Sequence, residues 1–125
     1  MRVKLNEAAY AQARELIAAG RMVHDDRDDW SEHRPTAAAE NAFIERHGFS
    51  EYRKWYLGLD AEQDEATKAR YKFPYGDFAD VHRCGVLSAE SRAGQYKYTE
   101  IELAAAHLHG MLEGPVQARR GRSER

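Results

Sequence analysis

The sequence has a single cysteine, Cys84, among 125 residues. An intrachain disulfide framework is therefore excluded, and a cysteine-rich metal centre has no ligands to draw on. Long apolar runs are missing too, and nothing approaches the length needed to span a bilayer. The N-terminal stretch MRVKLNEAAYAQARELIAAG is apolar only at intervals. It reads as an amphipathic helix, not as the continuous apolar region of a signal peptide, so the expected location is cytoplasmic. Phosphate-cradling glycine loops are absent, because neither GxxxxGKS/T nor GxGxxG occurs. The net charge is only -2, which gives no global reason to expect nucleic acid. No internal repeat or low-complexity segment is present.

What remains suits a globular protein: 42% hydrophobic and 32% charged residues. The length fits one domain with a core that needs no staples. Residues 1–115 are expected to form that domain, followed by a basic, disordered tail over 116–125. Charge is uneven. Residues 1–67 carry nine Lys/Arg against fourteen Asp/Glu, and residues 68–125 carry ten against seven. An anionic partner would therefore meet the second half.

Asn6 can cap a first helix reaching about Ala19, with Gly20 closing it. Met22 and Val23 fit a short strand, and the aspartates of HDDRDDW then argue for a solvated turn. Thr36 precedes a second helix, AAAENAFIERHG, whose modest apolar face is Ala39, Ala42 and Phe43. WYLGLD fits a strand weakened by Gly58. Asp60 to Gln63 matches a capping box before a short third helix, DEATKAR. Tyr71 and Phe73 alternate around Lys72, as in an edge strand. Val86, Ala89, Ala93 and Tyr96 recur at helical spacing. Thr99 to Glu102 is a capping box for a last helix lined by Ile101, Ala104, Ala105, Leu108 and Leu112, with Gly114 and Pro115 as its stop. The pattern predicts a predominantly helical, single-domain α+β protein. A small antiparallel β element links Trp55–Leu59 with Tyr71–Phe73, with Phe78–His82 as a possible third member. The last two helices form an αα-hairpin packed through alanine faces.

The run from WYLGLD through KARYKFPYGDFADVHRCGVLSAESRAGQY to HLHGML, roughly Trp55 to Leu112, resembles a group of small bacterial proteins of uncharacterised function. The YKFPYGDF-to-RAGQ part is loosely similar to sequences beside phage head-maturation protease domains. The chain lacks room for both that protease and the shared segment. The resemblance therefore implies a small accessory or binding module and supplies no catalytic residues.

Candidate chemistry is sparse. His82 and Cys84 alternate, but His107 and His109 stand two apart on a helix and do not share a face. His24 and His33 lie in the acidic loop, where solvated carboxylates suffice. No metal and no cofactor are expected. Cys84 beside Arg83 and near His82 could form an activated thiol if the groups converge. Free cysteine is commonly a packed residue, and Ser88 and Ser91 lack the flanking glycines of a nucleophile elbow. The acidic clusters lack both an EF-hand pattern and evident paired-carboxylate geometry. No catalytic residue is assigned. The segment 68–98 mixes cations with aromatics. Arg70, Lys72, Tyr75, Asp77, His82, Arg83 and Arg92 are its candidate binding residues. A core with basic rims, a protein interface, a single-stranded nucleic-acid surface and another ligand site all remain open. The sequence predicts a non-catalytic protein-binding or accessory module, not an enzyme. Single-stranded nucleic-acid binding through residues 68–98 is one alternative, and a small cysteine-dependent hydrolase or transferase centred on Cys84/His82 is another. A homodimer through the alanine-rich hairpin is also compatible.

Overall fold

Helix α1 (Glu7–Ala18) places Ala9, Ala13 and Ile17 on one buried stripe. Gly20, at φ +79°, lets the chain reverse after it, and the Arg21 amide donates back to the Leu16 carbonyl. In the computed structural model the backbone is described for residues 3–123 and side chains for residues 3–114. Asn6 stands at the head of α1, but its side chain does not cap the helix. Its amide donates to the Arg53 and Tyr56 carbonyls at 2.8 and 2.9 Å, tying the N-terminus to the middle of the chain.

Strand β1 (Val3–Leu5) is a member that sequence periodicity did not reveal, because three residues are too few to show alternation. It pairs antiparallel with β3 (Tyr56–Asp60), which pairs in turn with β4 (Tyr71–Pro74). The predicted link between Trp55–Leu59 and Tyr71–Phe73 is thus present, but Val81–His82 does not join it. Instead β5 (Val81–His82) pairs in parallel with β2 (Met22–Val23), matching Met22 to Val81 and Val23 to His82.

Between β2 and β3 lie a 3-10 turn at Arg27–Asp29, α2 (Trp30–His33), α3 (Ala37–His47) and α4 (Phe49–Tyr52). Thr36 caps α3 by accepting from the Ala39 amide at 3.1 Å. The expected apolar face of α3 is only partly used. Phe43 stacks on Phe78, while Ala39 and Ala42 face solvent. The expected helix over DEATKAR is replaced by turns and a 3-10 segment at Lys68–Arg70. Asp60 and Asp64 accept from amides two residues ahead, at 3.0 and 2.8 Å. Such Asx turns compete with helix initiation.

Helices α5 (Arg83–Gln95) and α6 (Thr99–Ser123) form the C-terminal hairpin. Ala89 and Ala93 of α5 and Ala104 and Ala105 of α6 are buried, so the two backbones approach closely. The backbone of α6 continues through Gly114 and Pro115, where the sequence predicts a stop. The side chains of the expected basic tail over 116–125 lie outside the described residues. The molecule is a single α+β domain, mostly helical, around a core that includes Leu57, Tyr75, Val86, Ile101, Leu108 and Leu112. Each fully buried aliphatic side chain contributes about 2 kcal/mol. Among the described residues no helix is long and apolar enough to cross a membrane.

Candidate functional site

The parallel pairing of β2 with β5 brings two distant chain segments side by side. Two residues beyond Val23, Asp25 arrives beside His82 and the first turn of α5. Its carboxylate bridges them: Oδ2 accepts from His82 Nδ1 at 2.7 Å, and Oδ1 accepts from the Cys84 backbone amide at 2.8 Å. The second bond satisfies an amide left open at the start of α5. The other imidazole nitrogen, Nε2, meets Asp77 Oδ2 at 2.8 Å. Asp77 is itself fixed, because its Oδ1 accepts from the Ala79 and Asp80 amides at 3.0 and 2.7 Å. His33 stacks over His82 with ring centroids 5.0 Å apart, and Trp30 lies tilted beside it at 6.2 Å.

Ligand atoms of Asp25, His82 and Cys84 all lie within 4.8 Å of one another. His82 and Cys84 are buried, and the Asp25 side chain is only 8% exposed. Burial alone would drive His82 neutral. The two carboxylates outweigh that cost and hold its pKa above the ordinary imidazole value. Burial would likewise raise Asp25, but its bonds from His82 and the Cys84 amide bring it below the usual carboxylate range. Asp77 is lowered as well; burial opposes this, and the Asp80 amide and His82 outweigh it. Burial first, and the facing Asp25 carboxylate second, push the Cys84 thiol up to about 12.

This arrangement corrects the expectation of a purely non-catalytic module. A buried carboxylate, imidazole and thiol that converge within 4.8 Å are positioned to hold a metal or to act catalytically, which disfavours a purely non-catalytic reading. The expectation that the protein is not an enzyme is corrected on the same observation. The position favoured is that of the Cys84/His82 alternative. The chemistry differs from a free thiolate nucleophile, because without a metal the sulfur is protonated and both nitrogens of His82 face carboxylates.

The other candidate binding residues divide. Arg83 is engaged internally, with Nε on Glu113 Oε1 at 2.6 Å and Nη1 on the Asp25 carbonyl. Arg70 donates to the Gln63 carbonyl at 2.8 Å. Tyr75 is fully buried, with its hydroxyl on the Lys54 carbonyl, and is closed to a ligand. Lys72 and Arg92 line a common cavity. Asp77 and His82 belong to the buried cluster. Asp25 was missed because its acidic run reads as a solvated turn. Nothing local separates it from Asp26; only the pairing of β2 with β5 does.

No family model, curated protein or solved structure matches the chain.

Proposed function

We propose that Asp25, His82 and Cys84 hold a divalent transition metal, with zinc the best fit to one oxygen, one nitrogen and one sulfur donor. The observation that carries this reading is the convergence of the three donor atoms within 4.8 Å. The surroundings support it. Asp77 holds the far nitrogen of His82 at 2.8 Å, the carboxylate–imidazole support that orients a metal-binding histidine through its other nitrogen. A bound metal would take the place of the Nδ1 and thiol protons, which leave to solvent, and replace the hydrogen bond between Nδ1 and Asp25 Oδ2. Three protein donors are the number found in catalytic zinc sites, where the remaining position takes water or substrate.

When bound, such a metal would supply Lewis-acid chemistry and an activated water, the basis of metal-assisted hydrolysis. The chain's own residues have defined tasks. Asp25 keeps its negative charge at the centre and fixes the start of α5. Cys84 contributes a sulfur shielded from oxidants by burial. Asp77 fixes the imidazole and takes up charge from it. A reduced thiol suits the cytoplasm as the working compartment.

The test is cobalt substitution. Metal-free protein titrated with Co²⁺ should bind one ion per chain and develop a near-ultraviolet sulfur-to-cobalt charge-transfer band. Cys84→Ser should remove the band, and Asp25→Asn should weaken binding by more than about tenfold, since loss of a direct ligand should cost at least as much as loss of a group that only orients one. Retention of no metal after dialysis against micromolar zinc or cobalt, by folded wild-type protein, would refute the assignment.

A further inference from the structure

A cavity of about 380 Å³ opens between β4, the end of α5 and the segment after α2. None of Asp25, His82 or Cys84 lines it, so it is separate from the metal-type cluster and does not depend on that reading. Its size falls within the range of small-molecule sites. Its walls combine two kinds of group. Tyr71, Phe73 and Tyr96 supply aromatic surface, and Arg34, Lys72 and Arg92 supply positive charge.

The charge is not consumed internally. The single carboxylate in the lining, Glu40, accepts from the Tyr56 hydroxyl at 2.7 Å and from Lys68 at 3.3 Å. The side chains of Arg34, Lys72 and Arg92 have no hydrogen-bond or ion-pair partner among the described residues. Three unpaired cations around one recess leave an uncompensated positive field, which is the electrostatic requirement for capturing an anion. Arg34 and Arg92 bring planar donor forks suited to phosphate or carboxylate oxygens. Tyr96 is 56% exposed and stacks on Tyr98 with centroids 5.8 Å apart. Among the described residues it presents one of the few large apolar surfaces on the outside of the protein, at the cavity itself.

We infer that this cavity binds a small organic anion with a planar ring, the ring lying against Tyr96 and the anionic group meeting Arg34, Lys72 and Arg92. The recess is half open, and its volume matches a discrete small molecule better than a polymer strand. Residues Arg70, Tyr75 and Arg83, which would have extended the basic and aromatic surface along a strand, are committed to internal contacts.

Calorimetric titration of the wild-type protein with phenyl phosphate, benzoate, inorganic phosphate and phenol tests the assignment. Phenyl phosphate or benzoate should bind one to one, and more tightly than phosphate or phenol alone. The better of the two identifies the anionic group. The doubly substituted Arg34→Gln/Arg92→Gln protein should fold with an unchanged melting temperature, since both side chains are exposed. Loss of two charge-assisted contacts should weaken its binding by about tenfold to a hundredfold. Tyr96→Ser should weaken the aromatic anions and leave inorganic phosphate unaffected. Absence of binding at millimolar concentration, or equal binding to wild-type and doubly substituted protein, would overturn the inference. So would a single-stranded oligonucleotide that binds more tightly and displaces phenyl phosphate. Because neither substituted arginine touches the Asp25/His82/Cys84 cluster, cobalt binding should be unchanged in this variant, and the two readings can fail separately.

Discussion

At the scale of single residues, the behaviour of the metal-free cluster follows from its charges. The pKa of His82 is raised on folding, so its contribution is fully present below the ordinary imidazole value and is lost as pH rises through the folded value. Asp25 and Asp77 are lowered, so their contributions are present above the ordinary carboxylate value and are lost as pH falls through their folded values. The metal-free protein should therefore melt highest between about pH 4 and 6.5, the ordinary values of the two group types. Melting curves recorded across that window and one or two units either side should show a decline on both flanks. His82→Gln should flatten the alkaline decline, and an unchanged alkaline flank would contradict this account. Cys84 makes an independent demand. Its thiol is fully buried and pushed up to about 12. Iodoacetamide should label it slowly in the native metal-free protein at neutral pH and rapidly after denaturation. Fast native labelling would restore the thiolate nucleophile.

At the scale of elements, two close approaches decide stability. Gly58 sits in the middle strand of the antiparallel sheet, and a Cβ there would lie 2.9 Å from Phe73 and 3.1 Å from Ile101. The sequence treats this glycine as a weak point in a strand. In the fold it is what lets β3 seat beneath the Phe73 ring and the Ile101 side chain of α6. Gly58→Ala should cost about 1–3 kcal/mol in urea unfolding, the usual range for overpacking. The αα-hairpin offers a paired comparison. Ala93 is wholly buried between α5 and α6, whereas Gln95 two residues later is exposed. Ala93→Glu forces a carboxylate into that interface and should cost more than about 3 kcal/mol. Gln95→Glu should stay within about 0.5 kcal/mol. Similar losses at both positions would mean that the alanine faces do not carry the hairpin.

At the scale of the whole molecule, a few polar ties join parts of the chain that hydrophobic pattern alone leaves independent. Asn6 is 3% exposed and serves two carbonyls around the start of β3. Asn6→Ala would strand both carbonyls out of reach of water. The expected loss is about 2–3 kcal/mol, from two hydrogen bonds and the uncompensated burial of their acceptors. Chemical denaturation should register it as a lower midpoint with an unchanged slope. A neutral result would mean that the acceptors find water and that the N-terminal segment is held by apolar contact alone.

The longer helices α1, α5 and the N-terminal part of α6 are legible in the sequence, because their apolar residues recur at helical spacing; Val86, Ala89 and Ala93 of the α5 stripe are buried, whereas Tyr96, just past the end of that helix, is exposed, and the short helix α2 falls where the aspartates predict a turn. The sequence also determined the antiparallel pairing of the chain around Trp55–Leu59 with Tyr71–Phe73. It did not determine β1, the turns over residues 60–70 or the extension of α6. There, three-residue strands, Asx turns and a helix passing a proline leave no distinctive period. His82 and Cys84 were visible as candidates, since they lie two residues apart. Asp25 was not, because its role depends on contacts with His82 and Cys84 across 57 and 59 residues of chain. The cavity divides in the same way. Lys72 and Arg92 stood out as cations among aromatics, whereas Arg34 joins them only once α2 has packed against α5. Local spacing encodes which face a helix buries. Which charged groups meet in the interior is set by strand pairing between remote segments, which no local spacing encodes.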